Sequence, residues 1–171
     1  FSAIHVGHAS DPNTQMGPVI SAAQVAKCEH FVALAVEQGG RLVSGGKRPA
    51  HLARGHFFEP TLLDLPDNKN PAAQEEIFGP VVSVIGYRDL DHAVEMANDS
   101  KFALSGYVHG NDCRLAVDLG SRIHSGTVHV NTGIISTYVS MGGHRFSGVG
   151  RERGVEGLRI YQHLGCLNIG G

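Results

Sequence analysis

The stretch "VVSVIGYRDLDHAVEMANDSKFALSGYVHGNDCRLAVDLGSRIHSGTVHVN", residues 81–131, determines the fold class because strand and helix patterns alternate along it. "VVSVIGY" (81–87) is a β-branched run typical of a buried strand, and "SGYVHG" (105–110) and "GTVHVN" (126–131) are shorter strand patterns. "HAVEMAN" and "DCRLAVDLGSRI" between them are helical. This order predicts an α/β fold with a parallel-type sheet and helices on both of its faces.

Short polar residues mark where these helices begin. Asp89 or Asp91 can cap "HAVEMAN", and Asn111 can cap "DCRLAVDLGSRI", because their side chains can accept hydrogen bonds from free backbone N–H groups. Upstream, Ser21 and Gln24 form a capping box for a further helix, which the two glycines after residue 38 should end. Apolar residues at helical spacing should face the core: Val25, Cys28, Val32, Ala35 and Val36.

Two further segments, "RLVSGG" (41–46) and "HFFEPTLLDL" (56–65), are predicted to be extended. Pro60 lies within the second segment and cannot donate to a strand ladder, which favours an edge position or a bulge there. Residues 132–150 match no element and are predicted to form a long loop. The end of the chain, "GLRIYQHLGCLNIGG", resembles the last turn of a helix followed by an extended strand.

Composition excludes several classes of protein. Apolar residues make up 42% of the 171 residues and charged residues 18%, which is typical of a soluble globular chain. The net charge of −2 provides no basic surface for nucleic acid, and no apolar run is long enough to span a membrane. The three cysteines are odd in number and far apart, which favours a reducing, cytoplasmic location. The 11 histidines match no strong metal-binding spacing, so no metal site is predicted.

The cysteines have different predicted environments. Cys28 lies in the apolar helical stripe and should be a core residue, and Cys166 lies in the predicted tail strand and should be structural. Cys113 lies in the first turn of a helix, where the helix dipole favours a thiolate, although the sequence shows no histidine partner for it.

The glycine-rich stretch "MGGHRFSGVGRERG" (141–154) resembles a phosphate-binding loop only superficially. A dinucleotide fingerprint follows a strand directly and is followed by an acidic residue about 20 positions later, and neither condition is met. We therefore expect a tight turn that leads into a helix near residues 151–158.

"QEEIFGPV" (74–81) is the most distinctive stretch, and it permits two interpretations. Glu75 and Glu76 could simply be solvated, with Phe78 in the core and Gly79-Pro80 as a turn. Alternatively, the turn could hold one carboxylate and the aromatic ring at the mouth of a cleft, where a carboxylate can accept two hydrogen bonds from a ribose diol. The residues alone leave both interpretations open.

Taken together, "DPNTQMGPVIS", "GHFFEPTLL", "EEIFGPV", "GTVHVN" and "GGHRFSGVGRERGVEGLRIY" resemble, in order, the C-terminal part of the NAD(P)-dependent aldehyde dehydrogenase superfamily. The resemblance implies that Glu76 binds the nicotinamide ribose hydroxyls and that Phe78 packs beside the nicotinamide of NAD or NADP. It places Asn131 at the end of the strand before the substrate loop, so that Ile134, Ile135 and Met141 would line the aldehyde channel.

The chain departs from the family pattern at two points. Ser140-Met141 stands where the family usually has Pro-Phe, and Arg145 stands where it has a lysine. Because Met is more flexible than an aromatic residue, the width of the channel and the identity of the aldehyde cannot be carried over.

The family's nucleophilic cysteine, general-base glutamate, oxyanion asparagine and main cofactor lobe have no counterpart in these 171 residues, so no catalytic residue is assigned here. The resemblance implies roughly the last third of the enzyme. Residues 1–157 would belong to the catalytic domain, and residues 158–171 would form a tail strand that joins a neighbouring subunit of a homodimer or homotetramer.

The complete enzyme would oxidise an aldehyde to a carboxylic acid through a cysteine thioester. The alternative is a stand-alone binding or oligomerisation module that has this fold without the chemistry. A longer native chain that carries a cysteine loop would favour the enzyme, and a true start near Phe1 would favour the module.

We expect the purified 171-residue chain alone to have no dehydrogenase activity, because the nucleophile and the general base are missing. The measurement is NAD(P)H formation with a panel of aldehydes. Turnover that depends on the chain would contradict this expectation.

Overall fold

The computed structural model describes residues 1–134 and 136–170, which form two compact units, Phe1–Tyr87 and Arg88–Gly171. This division does not coincide with the boundary predicted after residue 157, which stays a prediction. The first unit contains α1 (Ala22–Glu37), β1 (Arg41–Ser44), β2 (Thr61–Leu65), α2 (Pro71–Gln74) and β3 (Val81–Ile85). The second contains α3 (Leu90–Asn98), β4 (Phe102–Ala103), β5 (Ser105–Val108), α4 (Cys113–Ser121), β6 (Thr127–Val130), β7 (His144–Arg145) and α5 (Gly154–Arg159).

Helix α1 forms as the sequence predicts. Its N-cap residue, Ser21, accepts a hydrogen bond from the backbone N–H of Gln24 at 3.2 Å, and the helix ends before Gly39, which has a φ of +85°. The capping box is not reciprocal, because the Gln24 side chain bonds elsewhere. The predicted stripe is buried except for Val36, which lies at the rim and is exposed.

The first unit has a mixed sheet in the order β1-β2-β3. Strands β1 and β2 are antiparallel, and β2 and β3 are parallel with Thr61 opposite Val81. The prediction of an edge position or a bulge in β2 was wrong, because β2 is central and Pro60 precedes its first residue. The irregularity lies instead in β1, where the register shifts between Leu42 and Ser44.

Strand β3 is not the buried strand that its β-branched run predicts. Val82 is 45% exposed and Val84 is 50% exposed, while alternate residues of β3 are half-buried. Val81 and Ile85 pack against the core on one face of the strand, and Val82 and Val84 lie on the opposite face, which this unit does not cover. A run of valines fits a half-covered strand as well as a fully buried one.

The core of the first unit lies between α1 and the sheet. Phe58, Leu63 and Val25 are fully buried there, and the hydroxyl of buried Thr61 donates to the Glu59 carbonyl at 2.8 Å. Cys28 belongs to the same cluster, as predicted, and burial raises the pKa of its thiol. The thiol is therefore a packing group at neutral pH.

The second unit places helix α4 against a parallel strand pair. Strands β5 and β6 pair in register from Ser105 opposite Thr127 to Val108 opposite Val130, and α4 packs on both. A Cβ on Gly120 of α4 would lie 3.0 Å from the Val130 side chain, so this glycine allows the close packing. Parallel pairing and the α/β class are thus confirmed.

In this unit the cap predicted for α3 is observed, and the cap predicted for α4 is not. The Asp89 side chain accepts from the His92 backbone N–H at 2.8 Å, as one of the two predicted alternatives for α3. Asn111 was the wrong residue for α4. Asp112 caps this helix and accepts from the N–H groups of Arg114 at 2.9 Å and Leu115 at 3.1 Å. Adjacent Asn and Asp residues have similar capping propensity, so the sequence alone could not discriminate between them.

The end of the chain differs from its prediction. Residues 162–170 form neither helix nor strand, and Leu164, Leu167 and Ile169 are exposed. The predicted tail strand is absent in the single chain, because a strand needs a paired neighbour and the described residues offer this segment none. Cys166 is accordingly exposed and is not a residue of a strand.

Two kinds of feature are not found among the residues described above. None of their helices is both long and apolar enough to cross a bilayer. They also contain no group of three or more His, Cys, Asp or Glu side chains arranged to hold a metal ion.

We expect Asp112→Ala to lower the free energy of unfolding by about 1 kcal/mol, because it removes the acceptor for two N–H groups of α4. Asn111→Ala is the matched control and should have little effect. Chemical denaturation followed by circular dichroism measures both. A larger loss for Asn111→Ala than for Asp112→Ala would contradict the observed cap.

Candidate functional site

The loop between α2 and β3 carries Glu76 and Phe78, and it is anchored at both ends. Before the loop, buried Asn70 caps α2 by accepting from the Ala72 N–H at 3.0 Å, and it donates to the Ala35 carbonyl at 3.1 Å, so the helix that leads into the loop is tied to the end of α1. At its end, the Pro80 carbonyl accepts from the Thr61 N–H at 2.8 Å, next to the first residue pair of β2 and β3. Both α2, where the loop begins, and Pro80, where it ends, are therefore held in place.

Within the loop, side chains alternate between the core and the surface. Ile77 is buried in the core cluster, while Glu76 on one side of it is exposed and Phe78 on the other is 76% exposed. The first interpretation of this stretch was therefore wrong for Phe78, which it placed in the core, whereas Glu75 and Glu76 are exposed as it expected. The core position is occupied by Ile77 instead.

Phe78 has an unusual backbone conformation, with a φ of +58°. A bulky residue in the left-handed region is strained, typically at a cost of about 1–3 kcal/mol, and persists only where neighbouring contacts impose it. Residues in such strained conformations cluster at active sites and ligand-binding sites.

Helix α1 supplies the contacts that hold this loop. The Lys27 ammonium group donates to the Glu76 carbonyl at 2.6 Å, and the Gln24 side-chain amide donates to the Ile77 carbonyl at 2.7 Å. Gly79 lies directly against Cys28, since a Cβ built on this glycine would be 2.2 Å from the Cys28 sulfur. Sequence reasoning did not identify Gln24 and Lys27, because their partners lie about fifty positions further along the chain.

An open cleft of about 510 Å³ lies beside the loop. It is lined by Met16, Gly17, Pro18 and Val19 on one side and by Phe78, Gly79 and Pro80 on the other. Glu76 does not line this cleft, and its carboxylate has no hydrogen bond or ion pair with any described residue. The arrangement offers an apolar surface with an aromatic ring and, two residues away, a carboxylate that is free to accept hydrogen bonds from a ligand.

The remaining predicted site residues belong to the second unit. Asn131, at a φ of +51°, follows β6, and its side-chain amide both accepts from the Gly110 N–H and donates to the Gly110 carbonyl at 2.9 Å. Ile134 is 83% exposed, and Ile135 lies outside the described residues. Asn131 thus ties the ends of β5 and β6 together at the start of the predicted substrate loop.

Met141 lines a cavity of about 540 Å³ in this unit, together with Leu104, Ile160, Tyr161 and the glycine-rich segment. Its backbone pairs with that of Glu152, with N–H to carbonyl distances of 2.8 and 2.7 Å. Asn131 and Ile134 do not line this cavity. Met141 thus lines a cavity that the other two described residues of the predicted channel do not line.

The glycine-rich segment forms a tight turn, as predicted. The Ser147 N–H donates to the His144 carbonyl at 3.1 Å, and Gly148 follows at a φ of +90°. The Arg151 guanidinium donates to the carbonyls of Gly143 at 2.7 Å and Gly150 at 2.8 Å. Because its Nη1 group donates to backbone carbonyls on both sides of the segment, this arginine closes the turn.

We expect Gly79→Ala to lower the free energy of unfolding by about 1–3 kcal/mol, because the added methyl group would overlap the Cys28 sulfur. Cys28→Ala in the same chain should recover part of the loss, which a double-mutant cycle measures as a coupling free energy. Gly86→Ala is the matched control, since nothing lies within 4 Å of a Cβ at that position. Equal losses for the two glycine substitutions would contradict the close contact.

Comparison with known proteins agrees with this architecture. Residues 1–165 match the profile of the Aldehyde dehydrogenase family. A Staphylococcus saprophyticus protein assigned provisionally as an aldehyde dehydrogenase is 41% identical over 162 residues, which are 94% of this chain and 34% of that protein. The chain therefore spans about a third of the length of this relative.

Two solved structures are similar throughout the matched region. A Mycobacterium tuberculosis aldehyde dehydrogenase complexed with NAD+ superposes with a TM-score of 0.91 at 41% identity, over 94% of this chain and 33% of the other. The betaine aldehyde dehydrogenase of Staphylococcus aureus in complex with NAD+ gives a TM-score of 0.90 at 39% identity, over 94% and 32% of the two chains. The chain belongs to the aldehyde dehydrogenase family.

Proposed function

We propose that this chain is part of an enzyme that oxidises an aldehyde to a carboxylic acid with NAD or NADP as the acceptor, through a cysteine thioester. The observation that carries the proposal is the loop with exposed Glu76 and Phe78, held on α1 at the edge of an apolar cleft. The NAD+ complexes of two structural relatives support the cofactor class.

The residues present fit a nicotinamide nucleotide in chemical terms. The nicotinamide, when bound, supplies the hydride acceptor. The Glu76 carboxylate has two oxygens without a partner in the described chain, which suit the two hydroxyls of a ribose. The Phe78 ring presents an exposed face to the cleft, where a planar ring can pack.

The role of these residues is to position the cofactor rather than to transfer protons. A backbone held in a single strained conformation fixes the ring of Phe78 relative to the carboxylate of Glu76. Misplacing a reacting group by about 1 Å can cost on the order of 10²-fold in rate, so the rigidity of the loop affects the hydride-transfer step.

The second unit would contribute residues that bind the aldehyde. We propose that the segment from Asn131 to Met141, with Ile134 and Ile135, shapes the aldehyde channel. The amide clamp between Asn131 and Gly110 fixes the start of that segment. Met141 would adapt to the substrate more readily than a rigid aromatic residue.

We assign residues 158–171 to a subunit contact in a homodimer or homotetramer, which we propose to be cytoplasmic, and the exposed tail supports the subunit contact. Leu164, Leu167 and Ile169 are apolar, exposed and without strand partners in the described chain. Pairing with the sheet of another subunit would satisfy their backbone groups and bury their side chains.

We expect Glu76→Gln in the complete enzyme to raise the KM for NAD or NADP about 10-fold and to slow hydride transfer, because it removes a charged acceptor of ligand hydrogen bonds. Steady-state kinetics measures the first effect, and the rate difference between protiated and deuterated aldehyde measures the second. Glu75→Gln makes the same charge change one residue away and serves as the control. Unchanged cofactor KM and unchanged hydride transfer in Glu76→Gln would refute the assigned role.

A further inference from the structure

One face of helix α1 converges on the Glu76–Gly79 loop. Gln24, Lys27 and Cys28 are spaced at i, i+3 and i+4, so their side chains lie on the same side of the helix. They meet the Ile77 carbonyl at 2.7 Å, the Glu76 carbonyl at 2.6 Å and the backbone of Gly79, respectively. Three neighbouring positions of the loop are therefore contacted by three positions of a single helix.

The contact with the Ile77 carbonyl bears directly on the strained residue. The carbonyl belongs to the peptide group that joins Ile77 to Phe78, and φ of Phe78 is the rotation between that peptide group and the Phe78 backbone. Holding the carbonyl in place therefore holds the left-handed conformation and, with it, the direction of the ring.

Gln24 is better suited to this task than Lys27. The bond from Gln24 is partly buried, and its amide also lies 3.8 Å from the Cys28 sulfur, so the side chain is confined. The bond from Lys27 is exposed to solvent, where a long flexible side chain contributes little rigidity.

We propose that Gln24 is a positioning residue for the cofactor loop: its side-chain amide, by donating to the Ile77 carbonyl, maintains the strained conformation that presents Phe78 and Glu76. The inference rests on the proposed function for its effect on cofactor use, but the hydrogen bond and its effect on the loop can be tested without activity. Gln24 touches neither reacting group and acts only through the loop.

The first test measures the shielding of the Cys28 thiol, which the loop covers at Gly79. In a chain with Cys113→Ser and Cys166→Ser, Cys28 is the only remaining thiol and can be followed with a dipyridyl disulfide. Gln24→Glu replaces the N–H donor by a carboxylate that faces the carbonyl. Because a carboxylate this close to the sulfur also raises the pKa of the thiol, the rates are compared per thiolate, with the thiolate fraction taken from the pH–rate profile of each chain. We expect this rate to be about 10-fold higher than in the parent chain.

The pH dependence of the rate distinguishes loss of this hydrogen bond from a general structural effect of the substitution. The carboxyl group that Gln24→Glu introduces can donate to the Ile77 carbonyl once it is protonated. The rate ratio between variant and parent should therefore return towards one as the pH falls, with a midpoint above about 4.3, the ordinary pKa of a glutamic acid side chain, because partial burial and the facing carbonyl disfavour the carboxylate. Ala23→Glu is the matched control, because it adds the same charge to the exposed first turn of α1 and leaves Gln24 in place. Its ratio should stay near one throughout.

Two results would overturn the inference. One is a Gln24→Glu rate ratio near one at neutral pH, and the other is equal acceleration by Gln24→Glu and Ala23→Glu. Circular dichroism melts confirm that the variants are folded, and Gln24→Lys, which retains a donor of similar reach, should restore the shielding.

The second test joins the inference to function in the complete enzyme. Gln24→Glu should raise the KM for the nicotinamide nucleotide about 10-fold and leave the KM for the aldehyde unchanged, and Gln24→Lys should recover it. Lost shielding with an unchanged cofactor KM would uphold the positioning of the loop and would refute the cofactor role proposed for it. Retained shielding refutes the positioning role itself.

Discussion

The contact between the Gly79 backbone and the buried Cys28 sulfur is the constraint on which the first unit depends. It brings the chain so close to α1 that the amide of Gln24 and the ammonium of Lys27 can reach the two preceding carbonyls. The same contact places Pro80 for its bond with Thr61, where the parallel pairing of β2 and β3 starts. The contacts that pack α1, set the start of the parallel pairing and present Glu76 and Phe78 thus all lie within one short segment.

Most local features of the fold, and the parallel pairing implied by the alternation of strands and helices, could be predicted from the sequence, whereas the exposure of individual residues could not. The Ser21 cap, the buried stripe containing Cys28, and the helical periods of α3 and α4 depend on residues a few positions apart. Val82 and Val84 are exposed and the tail forms no strand, because both depend on contacts with other parts of the protein. The periodicity of the sequence does not specify those contacts. The Arg151 turn lies between these cases: its glycines predicted a tight turn, but nothing indicated that an arginine closes it.

The candidate site shows the same limit. Residue chemistry alone left the acids and the aromatic ring of "QEEIFGPV" open between a solvated turn and a binding site, and only the family resemblance favoured Glu76 and Phe78. The structure adds a physical reason why one residue separates Glu76 from Phe78. Buried Ile77 separates the two exposed residues, so the carboxylate and the ring leave the core on either side of one anchored side chain.

The left-handed backbone of Phe78 has a consequence for how this position can change in evolution or in the laboratory. Residues with a branched β-carbon scarcely tolerate that conformation, whereas glycine and asparagine accept it readily. The set of residues that this position can accept is therefore limited by backbone geometry before any requirement for a ring is considered. A screen that varies this residue would first select for compatible torsion angles, and only among the survivors for affinity.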